Sequence, residues 1–167
     1  MKHWYAVHSK PRQEATAELN LQRQGFTTYL PRIRLRKLKR GNWVKAVEPL
    51  FPRYLFIQFD PAVDNTAPVR STRGAVGLVR IGNDLRPVPD DVIAYLKQAE
   101  DSTGHLRLVD DWPHRAGDRV EILQGPFAGL TGVFQMQLAE SRALLLIELL
   151  GRHNEVQVDL HAIATTA

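Results

Sequence analysis

Paired carboxylates come nearest to catalytic or metal chemistry in this sequence, because hard divalent cations take oxygen ligands that adjacent aspartates can supply. Two such pairs are present, Asp90-Asp91 and Asp110-Asp111. The first stands where a helix should begin and the second in a polar connecting stretch, and neither has a histidine at ligand spacing. The six histidines are scattered and cysteine is absent, which removes thiolate catalysis, disulfides and the common structural zinc sites, and fits a reducing compartment. No glycine-rich phosphate loop ends in Lys-Ser/Thr, and no nucleophile stands with a base. The expectation is a protein that is not an enzyme and takes no metal or cofactor.

Recognition chemistry remains. Residues 1–53 hold 12 Lys/Arg against Glu14, Glu18 and Glu48, a local charge of +9, so a chain total of +4 leaves −5 for the rest. A basic front on a mildly acidic back suggests one face turned to phosphates or an acidic protein, although a merely solvated basic face has the same composition. No stretch approaches the roughly 18 apolar residues of a membrane span. Met1 leads straight into a strand pattern rather than a signal peptide, so a cytoplasmic protein is expected, with no membrane partner.

The elements that must position these groups follow from periodicity. Residues 3–8 alternate and are rich in β-branched and aromatic types, predicting a strand with Trp4 and His8 on one face. Ser9 and Pro11 are expected to open a helix that Gly25 ends. Its apolar stripes are Ala15/Leu19 and Ala17/Leu21, and its long polar face includes Arg12, Gln13, Thr16, Asn20, Arg23 and Gln24. Residues 26–30 predict a strand, 32–36 a ribbon alternating cationic and apolar residues, 39–42 a turn, and 43–47 the returning strand. Residues 54–59 are apolar on nearly both sides, as in a central strand or one with an apolar outer face. A short helix near Val69, a strand over 78–81, a turn at Gly82-Asn83 and a helix over 90–99 complete this half. The pattern fades at 101–114, read as a linker between a domain of residues 1–100 and one of residues 115–167.

In the second domain, residues 117–122 followed by Gly125-Pro126-Phe127-Ala128-Gly129-Leu130-Thr131-Gly132-Val133 resemble a KOW motif, a strand, glycine-rich turn and strand in a small β-barrel. In the first, Trp4-Tyr5, the run Glu48-Pro49-Leu50-Phe51-Pro52-Arg53-Tyr54-Leu55-Phe56 and Thr72-Arg73-Gly74 resemble the NusG/RfaH family of transcription elongation factors, and most closely its RfaH-like branch. The fold class this implies is α+β, an antiparallel sheet with helices followed by the KOW barrel. In RfaH-like proteins the second domain can instead be an α-helical hairpin packed on the first.

The resemblance implies site residues. Phe51, Tyr54, Phe56, Ile81, Ile93 and Leu96 would form an apolar patch gripping the clamp helices of the RNA polymerase β′ subunit. Trp4, Lys10, Gln13, Arg23, Gln24, Thr72 and Arg73 would contact the non-template DNA strand, with Pro11, Thr16 and Asn20 departing from the more basic or aromatic family pattern. Asn65-Thr66-Ala67-Pro68 departs from the family run that touches the β subunit. Glu48 and Arg142 match an interdomain ion pair, with Leu145, Leu146 and Leu149 covering the patch in a closed state. A ribosomal small-subunit protein or the Rho terminator would bind the second domain, and the protein would be a monomer.

Local sequence preference bears on the two C-terminal folds. Residues 133–150 hold no Gly or Pro and are rich in Leu, Ala and Glu, so they favour a helix, whereas the flanking glycines, Pro126, Val156 and Val158 favour strands. Both folds remain open on sequence alone. So do three functions: an elongation and antitermination factor, a general NusG-type factor acting with Rho, and a ribosome-associated RNA-binding KOW protein.

Overall fold

A computed structural model describes residues 1–107, 119–122, 138–151 and 163–166. The first half is built on a four-stranded sheet in the order β2-β5-β1-β6, comprising β1 (His3–Ser9), β2 (Thr27–Tyr29), β5 (Tyr54–Phe59) and β6 (Ala75–Leu78). All its pairs are antiparallel, with His8 opposite Tyr54, Ala6 opposite Phe56 and Trp4 opposite Gln58. β5 is a central strand. Its period-two alternation sends Leu55, Ile57 and Phe59 to one face, where Tyr5, Val7, Ala17 and Leu21 complete a core under α1 (Glu14–Arg23). Phe56 goes to the other, with Trp4, Ala6 and Tyr29, against α2 (Asp90–Ala99).

Helix α1 starts three residues beyond Pro11, because Arg12 takes φ +60° and the chain turns before Gln13 caps the helix. Only the Ala17/Leu21 stripe is core; Leu19 is 48% exposed, so the Ala15/Leu19 stripe faces outward. Gly74 explains the tight seat of α1: it has φ +87°, and a Cβ there would stand 2.8 Å from the backbone nitrogen of Ala17. Helix α2 has Asp90 and Asp91 in its first turn and Lys97 in its last, matching the helix macrodipole. The Lys97 ammonium lies 4.8 Å from the Trp4 ring centroid and 5.2 Å from that of Tyr29.

Strands β3 (Arg32–Lys39) and β4 (Asn42–Pro49) form a long hairpin, closed by Arg40 and Gly41 with φ of +51° and +79°. Two positive φ values are what a two-residue type I′ turn requires, and they match the strand twist. The expected strand over 78–81 divides: β6 ends at Leu78, and β7 (Arg80–Ile81) pairs with β8 (Asp84–Leu85) around Gly82-Asn83.

Part of the stretch read as a linker is packed. β9 (Leu106–Arg107) runs parallel to β3 with Leu106 fully buried, and the Asp101 carboxylate accepts hydrogen bonds from the Thr103 and His105 amides. Farther on, β10 (Arg119–Ile122) pairs antiparallel with β11 (Ile163–Thr166), and α3 (Ala139–Gly151) is helical as its local composition favours. The glycine-rich part of the KOW-like motif, residues 123–133, lies outside the described residues, as do Val156 and Val158.

Candidate functional site

The apolar face formed by Phe51, Phe56, Val88, Val92, Ile93 and Leu96 is roofed by α3 through Leu146, Leu149 and Leu150. Their spacing from Arg142 is i+4, i+7 and i+8, one helical stripe. Leu145 is partly buried at its edge, whereas Leu144 points away and is 71% exposed. The seam leaves a gap of about 20 Å³ lined by apolar residues, among them Phe51, Phe56, Val92 and Leu146. The apolar lining offers a water no hydrogen-bond partners, so the seam stays dry and burial of the aromatic rings is a main driving force for docking.

The residues the sequence placed in the polymerase patch therefore differ in access. Phe51, Phe56, Ile93 and Leu96 are each no more than 2% exposed, while Tyr54 and Ile81 are partly buried at the margin. Phe51 and Phe56 are not available as an outward-facing patch here, because the chain's own helix occupies their surface, whereas Tyr54 borders an open groove. Leu150, Val88 and Val92 share the seat and were not singled out from sequence. The stripe from Arg142 would have identified Leu150; Val88 joins through a lone bridge to Trp4, which carries no sequence signal.

Polar contacts lock one edge of the seam. The Arg142 side chain is fully buried; its Nε donates to the Leu50 carbonyl at 2.8 Å and its guanidinium pairs with Glu48. Glu48 also pairs with Lys37. Burial pushes the Glu48 carboxyl up, but hydrogen bonds from Lys37 and Arg142, with their charges, outweigh it and hold the group below its ordinary value. The expected Glu48–Arg142 pair is thus present, extended by a backbone carbonyl and a third charge.

Beside Tyr54 lies an open groove of about 880 Å³, lined in part by His8, Thr66, Arg70 and Arg80. His8 stacks on Tyr54 with ring centroids 5.1 Å apart. Burial, and then the Arg53 charge, push the imidazole below its usual value and favour the neutral ring. Asn65, Thr66 and Ala67 also line it, so this segment shares the groove with Tyr54.

On the opposite face of the sheet, Lys10, Gln13, Arg23, Gln24 and Arg73 gather around α1. The Lys10 amide donates to the Gly74 carbonyl at 2.8 Å, which ties the start of the helix segment to the 72–74 loop. Lys10, Arg23, Gln24 and Arg73 are exposed. Two expected members are not exposed with them. Thr72 is only 5% exposed, its hydroxyl donating to the Pro68 carbonyl and accepting from Gln24 Nε2 at 2.7 Å. Trp4 points to the α2 side because strand alternation gives Tyr5 to the α1 side, and at 6% exposure under Lys97 it offers no open ring face for a base.

A sheet with one apolar face closed by the chain's own C-terminal helix and a cationic surface beside the helix on the other defines a class of protein built from recognition surfaces. Residues 2–97, more than half of the chain, match the family model described as transcription termination factor NusG. The chain belongs to the NusG family. Relatives named transcription termination/antitermination protein NusG include that of Thermus thermophilus, 31% identical over 93% of this chain and 94% of its own, and that of Deinococcus radiodurans, 27% identical over 96% and 97%. A solved structure, "Domain interaction in Thermotoga maritima NusG", is similar with a TM-score of 0.43 at 20% identity over 76% of this chain and 75% of that one.

Proposed function

We propose that this chain is an RfaH-like elongation and antitermination factor that acts in the cytoplasm by binding, with no covalent chemistry and no cofactor. Its residues 1–100 grip the β′ clamp helices of RNA polymerase through Tyr54, Phe56 and their neighbours, reach the β subunit across the cleft, and hold the non-template strand with Lys10, Gln13, Arg23, Gln24 and Arg73. Residues 115–167, once released, recruit a ribosomal small-subunit protein. The observation that carries this reading is α3 seated over Phe51 and Phe56 with buried Arg142 held by Glu48. A self-covered aromatic surface needs a release step, and a helix laid on such aromatics is the shape a coiled-coil partner helix would replace.

Capture of core RNA polymerase by the Glu48→Ser chain, with and without Tyr54→Ala, tests it. Expected is strong capture that Tyr54→Ala abolishes; capture unaffected by Tyr54→Ala overturns the assigned surface. A second reading, a general NusG-type factor working with Rho through a permanently β KOW domain, is favoured by the termination/antitermination names of the relatives. Helix content of the full chain compared with that of isolated residues 115–167 separates the two: the RfaH-like reading predicts α3 in the full chain and its loss when the seat is removed, whereas a permanently β domain predicts no such helix in either.

A further inference from the structure

The β3–β4 hairpin carries more chemistry than its place in the fold requires. Three of its cations have carboxylate partners: Arg32 with Glu18 at 3.7 Å, Arg34 with Asp101, and Lys37, which reaches back to Glu48. Toward its tip Arg36, Lys39, Arg40 and Lys45 have no ion pair to any described residue. Arg36 stands directly opposite Lys45 in the ladder, and like charges in that position destabilise a strand pair. One step farther, about 7 Å along the ribbon, Leu38 stands opposite Trp43 on the same face, and these side chains are 61% and 67% exposed. A like-charged pair beside an uncovered indole, with Arg40 beyond it in the turn, is an arrangement that an anionic polymer with flat groups neutralises and covers.

We propose that this tip is a binding site for single-stranded nucleic acid, in which one unpaired base stacks on Trp43 against Leu38 while Arg36, Lys45 and Arg40 hold the phosphates on either side. A protein helix would need a concave seat, which a projecting two-stranded ribbon does not offer. A duplex would leave the indole without an accessible base face. Stacking on an aromatic platform between cations is tolerant of sequence, so the site is for a strand, not for a particular base order. The inference stands on the hairpin alone and holds whether or not the polymerase surface is assigned correctly.

The test is fluorescence anisotropy of the full chain with labelled oligo-dT, with a duplex of the same length and with anionic phosphatidylserine vesicles, over a salt series. Trp43→Ala is expected to weaken oligo-dT binding about tenfold with little change in the salt slope, and Trp43→Phe to retain most of the affinity. Arg36→Ala with Lys45→Ala should flatten the logarithmic salt slope by about 1.4, the loss of two phosphate contacts on a single strand. All of these residues are exposed, and an unchanged circular dichroism spectrum verifies folding. Oligo-dT binding by Trp43→Ala within about twofold of the parent, or loss of binding only on neutralising Lys10 and Arg73, overturns the proposal. Equal Trp43-dependent affinity for the duplex, or Trp43-dependent binding to the vesicles alone, overturns it equally.

Discussion

Removing Glu48 should cost far more than removing Arg142, although the two form one ion pair. In Glu48→Ala the fully buried guanidinium loses its Glu48 carboxylate, while its hydrogen bond to the Leu50 carbonyl at 2.8 Å remains. Breaking one side of a buried pair costs about 3–5 kcal/mol, and the low end applies here because the Glu48 side chain is 14% exposed. At about 1.4 kcal/mol per factor of ten, 3 kcal/mol shifts docking of α3 by about a hundredfold toward release, where Arg142 regains water. In Arg142→Met the apolar volume stays and Glu48 keeps Lys37 at the edge of the seam, so the cost is about 1 kcal/mol or less. Adding Arg142→Met to Glu48→Ala should restore docking, since no buried charge is then left. Hydrogen exchange of the α3 amides reads this directly. Protection that is unchanged in Glu48→Ala, or lost equally in Arg142→Met, refutes the reasoning.

Acidification should undock the same helix. Lys37 lowers the Glu48 carboxyl whether α3 is docked or released, and Arg142 lowers it further only when docked, so the docking stability from Arg142 is full above the ordinary carboxylate range and is lost as pH falls through the docked value; α3 protection declines on that side and the decline is smaller in Glu48→Gln. Leu146→Ala should weaken docking by about 2–5 kcal/mol, because Leu146 is 3% exposed against Phe51 and Phe56, whereas Leu144→Ala should change it by less than about 0.5 kcal/mol; exchange protection of α3 separates them. Gly74→Ala forces a Cβ against the α1 backbone at φ +87° and should cost more than about 1 kcal/mol, read as a fall in the thermal midpoint of the N-terminal half.

Elements whose signal is local periodicity or turn chemistry were legible in the sequence. The alternation of β1, the two-sided β5, the Arg40-Gly41 turn and the acidic opening of α2 each declare themselves within ten residues. The start of α1 was not legible, because Arg12 accepts a left-handed φ that its residue type does not advertise. β9 was hidden because two residues beside Asp101 take strand form only by meeting β3, a contact across some seventy positions. The candidate surfaces divide in the same way. Glu48 and Arg142 carried a motif and do meet, but Thr72 and Trp4 matched by position while tertiary burial turned one into a packing hydroxyl and the other into core. The leucine run of α3 announced a helix; which leucines face inward was set by Arg142 reaching Leu50.

Affinity for core RNA polymerase tests the central claim, that the chain covers its own polymerase-facing surface, most directly. The account predicts weak binding by the full chain, binding at least tenfold tighter by Glu48→Ala in keeping with the release worked out above, and loss of that gain when Tyr54→Ala is added. Equal affinity of the full chain and Glu48→Ala, with α3 shown by hydrogen exchange to be released in the variant, would contradict it.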